Sequence, residues 1–130
     1  MSSSVPSRTM RRARRDSMAR LLITGAGGLL GANLALVAQA AGHHIIAVDF
    51  LHPIRHRDVV SVQADLTLPG AALQIFAAHR PRWAVHCAAA VEVDACEADP
   101  ETAYRLNRDM AGHVAMAARA VGARLVHIST

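Results

Sequence analysis

After residue 18 the apolar and polar positions alternate between two rhythms. Ala19–Thr24 is a continuous aliphatic run, the pattern of a strand buried on both faces of a parallel sheet. In Gly28–Ala41, Leu29, Leu30, Leu34, Leu36 and Val37 recur at helical spacing, and Gly42 supplies a stop. His44–Val48 is β-branched and reads as a second strand, Asp49–Asp58 as a polar loop around Pro53, and Val59–Ala64 as a third strand. Pro69 is expected to open a short helix through His79, because a proline at the first helical position sacrifices no hydrogen bond; Arg80-Pro81 closes it. Trp83–Cys87 is a fourth strand. Asp99-Pro100-Glu101 then combines a capping acid, an N1 proline and a first-turn acid, and apolar positions 103, 106, 110, 114, 117 and 121 form one stripe of a long helix ending at Gly122. Arg124–Ser129 is a fifth strand. Strands that alternate with helices predict an α/β, doubly wound parallel sheet of about five strands, because right-handed crossovers lay helices on both faces. The sheet is expected to stop after its fifth strand and to leave an exposed edge there, suited to a homo-oligomer.

Composition narrows the class. The chain has 130 residues, 52% of them hydrophobic but only 3% aromatic, so its core must be built from Ala, Val, Leu and Ile. The formal charge of +4 is unevenly placed. Residues 1–20 carry six Arg and one acid, and the remainder carries eight Arg and nine acids. The basicity therefore belongs to residues 1–17, read as a disordered basic tail, while residues 18–130 form a nearly neutral domain. No basic face with interleaved aromatics follows the tail, which argues against nucleic acid. The tail lacks the apolar segment of a secretory signal; its Arg- and Ser-rich make-up fits a transit peptide, but a disordered or mis-assigned start, with Met18 as a candidate initiator, is the preferred reading. No apolar run approaches the ~20 residues that cross a bilayer, so no membrane partner is expected. Cys87 and Cys96 lack metal or disulfide spacing and the eight His are scattered singly, so no metal is expected and a reducing cytoplasm fits.

The chemistry lies in Thr24-Gly25-Ala26-Gly27-Gly28-Leu29-Leu30-Gly31. This turn follows a strand and opens a helix. Gly25 suits the tight turn, Gly28 allows backbone to approach a pyrophosphate, and Gly31 allows the helix to pack closely. The N–H groups near Leu29 and Leu30 and the positive end of the helix dipole would face the phosphates. Asp49 ends the second strand, 18 residues beyond Gly31, near the ~20-residue spacing at which a carboxylate reads the adenosine ribose. The combination predicts a Rossmann-like site for NAD or NADP. Asp49 would repel a 2′-phosphate and favours NAD; Arg55 and Arg57 leave NADP open.

The same residues resemble the extended short-chain dehydrogenase/reductase family. Thr24–Gly31 fits its TGxxGxxG pattern, Asp65-Leu66 its acid after the third strand, and His86-Cys87-Ala88-Ala89 its HxAA segment. Val93–Glu97, Asp99-Pro100, Ala103-Tyr104, Asn107 and Arg124–Thr130 look like nucleotide-sugar epimerases, dehydratases and reductases of the dTDP-4-dehydrorhamnose type. His86, Ala90 and Val91 depart from the reductase pattern. The resemblance implies that Asp65 and Leu66 meet the adenine and that Ala88, Ala89 and Ala90 line the cofactor. It also implies that Thr130, or Ser129 as second choice, holds a substrate oxygen. The family's general-acid Tyr and its Lys would lie downstream of the fifth strand. The chain contains no Lys, and its one tyrosine, Tyr104, with Arg108 four residues on, is read as a packing residue of the long helix. The expected role is thus the dinucleotide-binding part of a nucleotide-sugar oxidoreductase, incomplete without a substrate domain. The alternative is a non-catalytic dinucleotide module or a decayed gene fragment.

Overall fold

The computed structural model describes residues 7–8, 18–88 and 99–128. Strands β1 (Arg20–Thr24), β2 (His44–Asp49), β3 (Val59–Gln63), β4 (Trp83–His86) and β5 (Arg124–His127) alternate with helices α1 (Leu29–Ala40), α2 (Ala71–His79) and α3 (Pro100–Val121). All four strand pairings are parallel, in the order β3-β2-β1-β4-β5. The central strand β1 sits where the winding reverses, between β2 and β4. In such sheets the carboxyl ends of the strands open a crevice at that point.

Side-chain alternation divides the core between the two faces. Leu22, Ile46, Val48 and Ala84 meet Phe76 of α2 and Met110, Val114 and Ala117 of α3 on one side. Ile23, Ile45 and Ala47 meet Ala35 and Ala38 of α1 on the other.

Three local expectations are corrected. Of the leucines of α1 only Leu34 packs against the core, and it is half-buried; the others do not form its core face. Gly31, Ala35 and Ala38 do, while Leu29 is 85% exposed and Leu30, Leu36 and Val37 face solvent. The helix lies too close to the sheet for larger residues there, because a β-carbon on Gly31 would collide with the Gly25 carbonyl. Pro69 is not the first residue of a helix. The Ala71 N–H donates to the Leu68 carbonyl at 3.3 Å, and Gly70 takes φ 85° and ψ −17°. Leu68-Pro69-Gly70-Ala71 is therefore a type II turn, with proline and glycine at the positions that turn demands, and α2 starts after it. Tyr104, expected to pack, is 70% exposed on α3. It falls off the buried stripe of Met110, Val114 and Ala117.

The long helix begins as its sequence requires: Asp99 accepts the Thr102 N–H at 3.1 Å and the Thr102 hydroxyl at 2.6 Å, followed by Pro100. Those bonds hold the Asp99 carboxyl below the usual carboxylate range. The Gly122 cap is left-handed, φ 72°, a conformation glycine adopts without penalty.

Candidate functional site

Above the carboxyl ends of β1 and β2 the molecule opens into a cleft of about 500 Å³, within the size range of small-molecule sites. The glycine turn forms its floor. Gly25 is left-handed, φ 67°, and a β-carbon there would lie 2.6 Å from the Ala88 nitrogen. That position needs glycine for both reasons. Gly31 needs it for the contact with the turn described above. Gly27, which stands outside the expected glycine pattern, needs it too: its missing side chain makes room for the His52 carbonyl and leaves Asp49 Oδ2 2.9 Å from where a β-carbon would sit.

Gly28 differs from these three. Its backbone, φ −78° and ψ 170°, is open to any residue, and the nearest atom to a β-carbon there would be the Gly25 carbonyl oxygen at 3.3 Å. Neither strain nor a severe internal clash explains this glycine. It lines the cleft and caps α1 without a side chain, so among the described residues no side-chain cap occupies the first-turn N–H groups near Leu29 and Leu30. A pyrophosphate fits this arrangement of bare backbone and helix dipole.

Asp49 joins the two sides of the cleft mouth. Its Oδ2 accepts the Gly27 N–H at 2.8 Å, and its Oδ1 accepts the N–H groups of Leu51 at 3.0 Å and His52 at 2.8 Å. A carboxylate has about four acceptor sites, so one remains, on Oδ2. The expected ribose-reading residue is therefore also the tie between the glycine turn and the β2–β3 loop. Asp65 Oδ1 accepts the N–H and hydroxyl of Thr67, at 3.0 and 2.6 Å, which curls the chain so that Asp65, Leu66 and Thr67 line one wall.

The opposite wall is fixed by a buried polar pair. The Ala88 N–H donates to Thr24 Oγ1 at 3.2 Å, and the same hydroxyl shares a hydrogen bond with His86 Nδ1, 2.6 Å away. Burial, reinforced by neighbouring His127, pushes His86 down from 6.5 to about 4. The rings of His86 and His127 are 5.1 Å apart. Cys87 lines the cleft as a free thiol raised by burial.

The structure thus gathers Gly25, Gly28, Asp49, Asp65, Leu66 and Ala88 around one cleft, with Leu29, Leu30 and Gly31 beginning the helix behind Gly28. Ala89, Ala90, Ser129 and Thr130 lie outside the described residues. Sequence reasoning missed Gly27, Phe50, Leu51, His52, Thr67, Leu106 and Met110. Leu106 and Met110 carried a signal, because they belong to the helical stripe of α3, but the stripe alone does not show which of its positions also reach the cleft.

Comparison with known proteins agrees with this geometry. The sequence model of the family described as "RmlD substrate binding domain" matches residues 19–130. A dTDP-4-dehydrorhamnose reductase of Mycolicibacterium smegmatis is 40% identical over 126 residues, covering 96% of this chain and 35% of that protein. The dTDP-4-dehydrorhamnose reductase of Bacillus anthracis, solved in complex with NADP, superposes with a TM-score of 0.67 at 31% identity, over 86% of this chain and 36% of that one. The Bordetella bronchiseptica enzyme WbmG, solved with NAD and UDP, gives 0.74 at 28% identity, over 87% of this chain and 38% of that one. The chain spans about a third of the length of these relatives. It belongs to the RmlD substrate binding domain family, within the extended short-chain dehydrogenase/reductases.

Proposed function

We propose that this chain holds a nicotinamide dinucleotide and forms the cofactor-binding part of an extended short-chain oxidoreductase acting on a nucleotide-sugar. The observation that carries the reading is Gly28: a glycine with no conformational or severe packing need, on the floor of a cleft at the start of a helix. The pyrophosphate would lie over Gly28 and the N–H groups of Leu29 and Leu30, the ribose against the free Oδ2 site of Asp49, and the adenine toward Asp65 and Leu66. Ala88, Ala89 and Ala90 would continue toward the nicotinamide. Thr130, or Ser129, would hold a substrate oxygen. The bound dinucleotide would supply hydride transfer. Asp49 supports NAD over NADP, because a carboxylate repels a 2′-phosphate. The B. anthracis relative holds NADP and WbmG holds NAD, and WbmG's UDP supports a nucleotide-sugar as the partner ligand. The domain proper is residues 18–130, with residues 1–17 as a tail, in a protein of the cytoplasm.

Titration with NADH, followed by fluorescence and thermal stability, tests this. Saturable binding with a raised Tm is expected, with NADPH the weaker ligand. No binding at millimolar cofactor would sink the proposal. A second reading, a dinucleotide module without chemistry of its own, is favoured by Tyr104: it is the chain's one tyrosine, it is exposed, and no Lys accompanies it. Turnover of a dTDP-4-keto sugar by this chain alone would overturn that second reading.

A further inference from the structure

The turn from Asp65 to Leu68 forms one wall of the cleft, and most of its hydrogen bonds are local. The Thr67 N–H and hydroxyl go to Asp65 Oδ1, and the Leu68 N–H goes to the Asp65 carbonyl at 3.2 Å. A different bond ties this turn to a distant element. His113 Nδ1, on α3, lies 2.9 Å from the Leu66 carbonyl oxygen. A carbonyl only accepts, so Nδ1 carries the hydrogen.

The position of His113 on α3 gives this bond its meaning. Leu106, Met110 and His113 are spaced four and three residues apart, which places them on one helical face. Leu106 and Met110 of α3 line the cleft, and so does Leu66 of the turn. Leu66 and Met110 belong to one buried cluster, and the His113 bond ties the turn to the helix one helical turn beyond Met110.

We propose that His113 is a positioning residue for the adenosine end of the cleft: its ring N–H, holding the Leu66 carbonyl, sets the separation at which Leu66, Leu106 and Met110 can enclose a flat heteroaromatic base. The proposal rests on the dinucleotide reading above. It concerns a residue that does not line the cleft and acts through the backbone of the turn.

Three variants separate this role from simple packing. His113→Asn keeps an amide N–H near the place of Nδ1. His113→Gln moves its N–H toward the place of Nε2, out of line with the carbonyl. His113→Leu removes the donor. Amide hydrogen exchange at Thr67 and Leu68 in the free protein reads the turn directly, NADH titration reads the cleft, and ¹⁵N shifts of the wild-type ring read the tautomer. His113→Leu and His113→Gln should speed exchange at Thr67 and Leu68 and weaken NADH by about tenfold each, while His113→Asn stays within about threefold of wild type on both. Neutral His113 should show its hydrogen on Nδ1. If the Leu variant fails to fold, the Asn–Gln contrast carries the test. Equal behaviour of the Asn and Gln variants, or unchanged exchange in the Leu variant, would overturn the proposal. Wild-type binding of NADH with unchanged affinity in His113→Leu would overturn the role of His113 alone. Failure of the wild type to bind NADH would overturn the dinucleotide reading and this role with it.

Discussion

Glycines 27, 28 and 31 look alike in the sequence but answer to different demands. At Gly31 the missing β-carbon admits the Gly25 carbonyl, and at Gly27 it admits the β2–β3 loop. Alanine at either position forces backbone apart, which costs on the order of 1–3 kcal/mol in a well-packed site. At Gly28 an alanine fits the backbone and meets only one oxygen at 3.3 Å. Gly28→Ala should therefore unfold in urea within about 0.5 kcal/mol of wild type, the range of substitutions that disturb no packed feature, yet lose most of its NADH affinity. Gly31→Ala should lose stability first. Denaturant midpoints beside NADH titrations check this, and a Gly28→Ala protein that binds like wild type would remove the main support for a pyrophosphate on that backbone. The pattern of Gly25, Gly28 and Gly31 and the acid Asp49 could be read from the sequence because each serves a local turn or a fixed spacing. Gly27 and His52 could not, since their need arises from a loop that arrives from across the sheet edge. Lying inside the long helix does not make Tyr104 a packing residue, because helical period places it off the buried stripe.

At the scale of elements, one buried pair welds β1 to β4. Thr24 and His86 are the buried polar side chains among the described residues, and their bond fixes the exit of β4 beneath the glycine turn. His86 titrates near 4 when folded, against 6.5 when free, because burial and then His127 oppose its charge. Between those values the unfolded chain takes a proton that the folded chain refuses, so stability rises with pH there. The contribution of His86 is complete above about 6.5 and drains away as the pH falls toward 4. Tm measured from pH 7.5 to 4.5 should fall more steeply for wild type than for His86→Asn, and parallel curves would count against the assignment. The order of strands and helices was legible because runs of aliphatic residues and helical stripes survive any packing. The start of α2 was not, because Pro69-Gly70 suits both a helix entry and a type II turn, and only the φ of Gly70 separates them. The inner face of α1 was hidden for a related reason: close approach selected small residues, and Leu29, Leu30 and Leu36 were left outside.

For the molecule as a whole, the two faces of the sheet are unequally covered among the described residues. Helices α2 and α3 pack on one face and α1 on the other. At the β5 edge Val126 is 42% exposed and Ile128 38%, and on adjoining β4 Trp83 is 37% exposed beneath the Arg124 guanidinium, 5.4 Å from its ring. Among the described residues no strand pairs with the outer side of β5, and such an edge with exposed apolar neighbours is a surface on which another strand can pair. Sedimentation at tens of micromolar should show self-association, and Val126→Glu should reduce it without lowering Tm. A wild-type chain that sediments as a clean monomer would dismiss the idea.

The ties of Asp49 bear on how this site could change allegiance. Admitting a 2′-phosphate by replacing the acid at the end of β2 would here release the N–H groups of Gly27, Leu51 and His52 together. Water can serve the exposed pair, but the loop would lose its anchor to the turn. A lineage or a designer seeking NADP preference in this scaffold therefore has an easier path through the exposed side chains of His52 and Arg55, adding positive charge around an Asp49 that stays in place.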